Sequence, residues 1–137
     1  VILSKQGQSE FFDGRVRLVS FSMHADPRGS LIPFNFEGLP FTPRHAFVVR
    51  DVPVGTIRGR HVHKSAQQML VCLAGHLSVE VRDHAESKTV ILDRPDLGLV
   101  IGAGLWAAQT YLHPETIMLA LVSEPYEPGS YVDEPQG

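Results

Sequence analysis

Two histidines one residue apart, His61 and His63, stand in the stretch GTIRGRHVHKSAQQMLVCLAG, Gly55 to Gly75. Residues i and i+2 of a strand point to the same face. The two imidazoles therefore project together, with Val62 opposed, and Gly59 before them allows a close backbone approach. Such a pair can ligate a metal, or it can exchange protons near neutral pH. A hydrogen-bonded structural pair is the plainer alternative, and the Gly- and Arg-rich turn around the pair weighs toward function. Arg58 and Lys64 bracket the histidines, and Arg28 follows an Asp-Pro turn. Arg60 is set aside, because alternation points it away from His61. The remaining histidines read as surface or turn residues: His24 before the Asp26–Gly29 turn, His45 at a strand start, His76 and His84 beside a hairpin, and His113 next to Pro114.

The elements that must carry these residues are short strands. RVRLVSFSM, from Arg15, has one face more buried than the other. HADPRGSL is a turn; SLIPFNF and HAFVVRDV read as strands, the first shortened by Pro33. QQMLVCLAG is an apolar run closed by Gly75, and HLSVEVRD then alternates cleanly, with Leu77, Val79 and Val81 on one face. TVILD, LVI, GLWAAQTYL and TIMLALVSE follow at close, even spacing with turn residues between them. No segment keeps a helical period over three turns. The expected class is all-β, an antiparallel sandwich or barrel. Residues 1–137 read as a single domain, with 1–14 a tail or edge strand and 124–137 a Pro-rich acidic tail tethered by Tyr126 and Tyr131.

Composition narrows the function. The chain has 137 residues, 43% hydrophobic and 20% charged, with a net charge of −3. That is too apolar for disorder and too acidic for bulk nucleic-acid binding. Cys72 is the only cysteine, so no internal disulfide and no thiolate cluster can form, and its apolar neighbours predict a buried, inert thiol. No apolar run reaches the ~18–20 residues of a membrane span, and the start carries no signal-peptide pattern, so a cytoplasmic protein is the expectation.

The spacing Gly55, His61, His63, Gln68, Gly75 resembles the first signature of the cupin barrels, and Gly98, Gly104, Trp106, Gln109 resemble the second. In metal-binding cupins a Glu stands where this chain has Gln68, and a third His where it has Gln109. Neutral amides are poor ligands for zinc or iron, so the metal reading weakens and proton transfer gains.

A closer resemblance covers about Val16 to Asp133. RGRHVHKSAQQMLVCLAG, with DPRGSL and LPF upstream and ALVSEPYEPGSYV downstream, is similar to the dTDP-4-oxo-6-deoxyhexose 3,4-ketoisomerases, the WxcM-like sugar-nucleotide cupins. The resemblance implies a cupin jelly roll, a homodimer with exchanged N-terminal strands, and no metal or other cofactor. It implies a dTDP-linked sugar as substrate, whose carbonyl moves between C4 and C3, and His61 and His63 as the acid–base pair. A diphosphate needs cations, which makes Arg58 the foremost candidate, with Arg28 and Lys64 behind it. Trp106 and Gln109 match positions near the family's pocket, and Gln68 suits orienting a histidine. The chain departs from the family where relatives carry tyrosines: HAFVVRD puts Phe47 and Val48 there. The rival readings are a metal-dependent cupin enzyme and a nucleotide-sugar-binding cupin that has lost catalysis. An epimerase is less apt, because its usual His–Asp dyad is not evident.

Overall fold

Alternating strands bring two antiparallel sheets face to face over one apolar core. The structure, a computed structural model, describes residues 10–126 and 131–132. Its strands are β1 (Glu10–Phe11), β2 (Val16–Ser20), β3 (His24–Asp26), β4 (Gly29–Leu31), β5 (His45–Val49), β6 (Ile57–His63), β7 (Gln68–Ala74), β8 (Leu77–Arg82), β9 (Ser87–Leu92), β10 (Leu97–Ile101), β11 (Trp106–Tyr111), β12 (Ile117–Val122) and β13 (Tyr131–Val132). One sheet runs β1-β2-β10-β7-β12-β5 and the other β13-β6-β11-β8-β9, with β3 and β4 forming a separate hairpin. This is the all-β jelly-roll architecture expected from the sequence, and among the described residues there is no helix.

Strand β8 shows why the sheets pack this way. Leu77, Val79 and Val81 are fully buried, while Ser78, Glu80 and Arg82 between them are only half-buried. Opposite them, Leu70 and Cys72 of β7, Leu99 of β10 and Met118 of β12 fill the same core. Strand β7 is buried on both faces, which is why it reads as an unbroken apolar run rather than an alternating one. Its outward Met69 and Val71 are covered by Phe21, Phe34, Leu39 and Phe41. Phe21 and Phe34 meet edge to face, with ring centroids 5.0 Å apart.

That cover corrects the reading of SLIPFNF as a strand. Pairing stops at Leu31, and the chain then crosses the outer face of the sheet without regular structure as far as β5. Pro33, Pro40 and Pro43 remove backbone donors, and the aromatic residues between them act as anchors instead. The N-terminal stretch is more committed than its weak pattern suggests: Phe11 and Phe12 are buried in the core, and β1 pairs with β2. Cys72 is fully buried and pushed up to about 11 by burial, as expected of an inert thiol. In the C-terminal stretch Tyr126 is exposed, β13 pairs with β6 at His63 and Val62, and the Tyr131 side chain lies outside the described residues. No described helix is long and apolar enough to cross a membrane.

Candidate active site

One irregularity between β6 and β11 decides which side chains meet. Ala107 pairs with His61 and Gln109 with Arg58, so three steps along β6 oppose two along β11. The extra residue is a β-bulge at Gly59 and Arg60, whose φ angles are 92° and 42°. Strict alternation would set Arg58 on the same face as Arg60 and Val62. The bulge turns it instead to the inside, where Arg58, His61 and His63 line one wall. Arg60 and Ile57 go to the outer face. The left-handed backbone at 59 favours glycine, and a Cβ there would lie 2.6 Å from Gln109 Oε1 and so displace that amide.

The wall encloses an inner cavity of about 90 Å³, to which Gln68, Gln109, Tyr111 and Met118 also contribute. Outside it lies a vestibule of about 500 Å³, bordered by β5 and by Glu124, Pro125 and Tyr126. Arg58, His61, His63, Phe47 and Val49 border both chambers. The combined space falls in the range of small-molecule sites, about 300–1,000 Å³.

The two imidazole rings are 6.5 Å apart between centroids, with their planes at 80°. Burial holds His63 below the ordinary value of 6.5; His61 and His45 push the same way, and Glu124 opposes them. His63 is therefore a neutral imidazole at pH 7, the form that can accept a proton. Gln68 and Gln109 are buried amides on the same cavity wall, one from β7 and one from β11. Tyr111 is fully buried, its hydroxyl 3.8 Å from Met118 Sδ, and burial pushes it up to about 12. It stays a neutral phenol at any working pH. Among the described residues no three His, Cys, Asp or Glu side chains gather as a cation-ligand set.

The structure brings together His61, His63, Arg58, Gln68 and Gln109, all named from the sequence. Three other candidates stand elsewhere in the chain. Trp106, expected near the pocket, is on the opposite face of its sheet, with the Arg82 guanidinium 3.8 Å above its ring. The reason is parity: Gln109 faces inward, and Trp106 lies an odd number of residues before it in β11. Arg28 sits at the tip of the β3–β4 hairpin, paired to Asp26 at 2.7 Å with its side chain 91% exposed. Lys64 follows β6 in an exposed turn and borders neither chamber.

Sequence reasoning missed Tyr111, His45 and Tyr126. Tyr111 was discoverable, since it lies two residues beyond Gln109 on one strand face. His45, read as a surface residue, borders the vestibule, and so does Tyr126. Their positions follow from the pairing of β5 with β12 and the path of the chain after it, which no local pattern announces.

Comparison with known proteins finds relatives over most of the chain. The family described as "FdtA: WxcM-like, C-terminal" matches residues 14–137. A TDP-4-oxo-6-deoxy-alpha-D-glucose-3,4-oxoisomerase of Aneurinibacillus thermoaerophilus is 29% identical over 117 residues, 85% of this chain and 84% of that protein. The sugar 3,4-ketoisomerase QdtA of Thermoanaerobacterium thermosaccharolyticum, solved in complex with TDP, is 30% identical with a TM-score of 0.83, covering 88% of each chain. WlaRB, a TDP-quinovose 3,4-ketoisomerase of Campylobacter jejuni, is 28% identical with a TM-score of 0.81, covering 87% of this chain and 92% of its own. The RmlC epimerase of Mycobacterium tuberculosis, at 18% identity and a TM-score of 0.77, shares the fold. With a match running from Gly14 to the last residue, this chain belongs to the WxcM-like family of FdtA type.

Proposed function

We propose that this chain is a sugar-nucleotide 3,4-ketoisomerase acting on a dTDP-4-oxo-6-deoxyhexose through His61 and His63. The observation that carries the reading is the shared wall of Arg58, His61 and His63, produced by the bulge in β6. One imidazole removes the C3 proton while the C4 oxygen gains a proton, giving a 3,4-enediol. The O3 hydroxyl then loses its proton and C4 receives one, leaving the carbonyl at C3. Protons and electrons balance within the substrate, so the two rings need only shuttle protons. Gln68 and Gln109, neutral and buried, hydrogen-bond the hydroxyls of the sugar without competing for protons. Arg58, bordering both chambers, meets the diphosphate between sugar and nucleoside. The buried phenol of Tyr111 offers a hydroxyl to the inner cavity, where Phe47 brings none.

The same reading makes the molecule a homodimer with exchanged N-terminal strands. Every residue of β3 and β4 is exposed, and among the described residues β5 has a strand on one side only, with Val48 53% exposed. Exchange of the hairpin onto β5 of a second copy covers both surfaces. It also carries Arg28, a second cation, toward the neighbouring vestibule.

Incubation with dTDP-4-oxo-6-deoxyglucose in deuterium oxide, followed by NMR, tests the reaction. Deuterium entry at C3 with formation of a 3-oxo sugar is the expected result. Binding without exchange would instead identify a nucleotide-sugar-binding cupin.

A further inference from the structure

The bulge in β6 carries backbone strain, since Arg60 sits at a φ of 42° without being glycine. Such strain persists only where the surrounding structure holds it. Gln109 supplies a contact made at the bulge itself. An ideal Cβ built on Gly59 would lie 2.6 Å from Gln109 Oε1, 3.0 Å from Nε2 and 3.1 Å from Cδ. The amide therefore occupies the place that a side chain at 59 would fill.

Register explains why Gln109 leans that way. Gln109 is level with Arg58 and Ala107 with His61, so Gly59 lies between the two pairs. On the side of Ala107 a single methyl leaves room for a long side chain. On the other side stands Tyr111, large and fully buried. Arg58, Gly59, His61, Ala107, Gln109 and Tyr111 all line the inner cavity. Gln109 is only 6% exposed, so its amide is packed into that wall.

We propose that Gln109 is a positioning residue: its amide, seated on Gly59, locks the bulge and so holds the Arg58 side chain inward beside His61. The proposal rests on the reading of Arg58 as the cation that meets the diphosphate. It gives Gln109 a second task, met by shape, beside the hydrogen bond to the sugar. With the seat empty, β6 relaxes toward one-to-one pairing, and alternation then carries Arg58 to the outer face with Arg60.

Titration calorimetry with thymidine diphosphate tests it, because this ligand has the diphosphate and lacks the sugar. Arg58→Ala should weaken binding by about tenfold or more, the effect of losing one charge-assisted pair. Gln109→Ala, which empties the seat, should weaken it by a similar factor. Gln109→Asn, an amide one methylene too short for the seat, should do the same. Gln109→Met, unbranched and of similar length, refills the seat without an amide and should bind within about threefold of the wild type. In an Arg58→Ala background, Gln109→Ala should cost less than about a further threefold, because the residue it positions is already gone. Melting curves show which variants are folded at the titration temperature, and the Asn and Met variants decide the matter if the Ala variant is not. Three results overturn the positioning role while leaving the ketoisomerase reading intact. They are wild-type binding in the folded Ala or Asn variant, a Met variant as weak as these, and a Gln109→Ala loss undiminished in the Arg58→Ala background. Wild-type binding in Arg58→Ala itself removes the diphosphate reading of Arg58, and the proposal with it.

Discussion

His63 owes its role to where it is buried. Desolvation and two neighbouring imidazoles disfavour its cation, so the neutral base persists below the ordinary value of 6.5. The acid limb of kcat/KM for sugar isomerisation should therefore lie below pH 6.5, and His45→Asn, which removes one of the opposing imidazoles, should move it upward. The same shift links pH to stability. Below about pH 6.5 the unfolded chain takes up a proton at His63 that the folded chain refuses, so its contribution is intact above 6.5 and is lost as pH falls toward the folded value. His63→Gln should flatten that part of a Tm-against-pH curve. For catalysis, His61→Ala and His63→Ala should each lower kcat by about 10²–10⁴-fold. Thymidine diphosphate affinity should change by less than about threefold in both, since the rings meet the sugar. Near-normal rates in both variants would remove the proton-transfer mechanism. The histidine pair itself was legible in the sequence because i and i+2 share a face on any strand. The neutrality of His63 was not, because the burial that chiefly sets it comes from elements packed together from distant parts of the chain.

The bulge in β6 is the element on which the site depends. It places Arg58 inward beside His61, although alternation alone assigns Arg58 and Arg60 to one face. Deleting Arg60 restores one-to-one pairing and should turn Arg58 outward, lowering thymidine diphosphate affinity by tenfold or more, about 1.4 kcal/mol or above. Thermal stability should hold, since a strained non-glycine φ of 42° is removed with it. Gly59→Ala acts on the same element in the opposite sense. It keeps the bulge, forces a Cβ against Gln109, and should cost about 2 kcal/mol in denaturant melts. Sequence patterning located β6 and its histidines, yet the bulge escaped it, because a bulge is a mismatch with the partner strand. Trp106 was different: its parity relative to Gln109 was readable from β11 alone, and that parity sets it on the face opposite the cavity.

At the scale of the whole molecule, the proposed strand exchange rests on two features of the described residues: β5 ends its sheet, and the β3–β4 hairpin pairs with neither large sheet. β5 is five residues long, carries no proline and no acidic residue or lysine, and exposes Phe47 and Val48. Light scattering of the purified chain should report a dimer, and Val48→Lys, which places a charge on that edge, should shift it to monomer. A monomer in the wild type would remove strand exchange and leave Arg28 as a solvated hairpin residue paired to Asp26.

The sequence by itself determined the strands, their inward faces and the histidine pair, because period-two alternation and turn chemistry are local properties of the chain. It also determined the family, through the Arg-Gly-x-His-x-His-Lys block and its flanks. The tertiary structure alone decided which cation joins the histidines and that His45 walls the vestibule. Each of these depends on register between strands distant in sequence: β6 against β11, β5 against β12, and the chain at Glu124 against His45. Register is set by how whole faces pack together, and no short stretch of residues contains it.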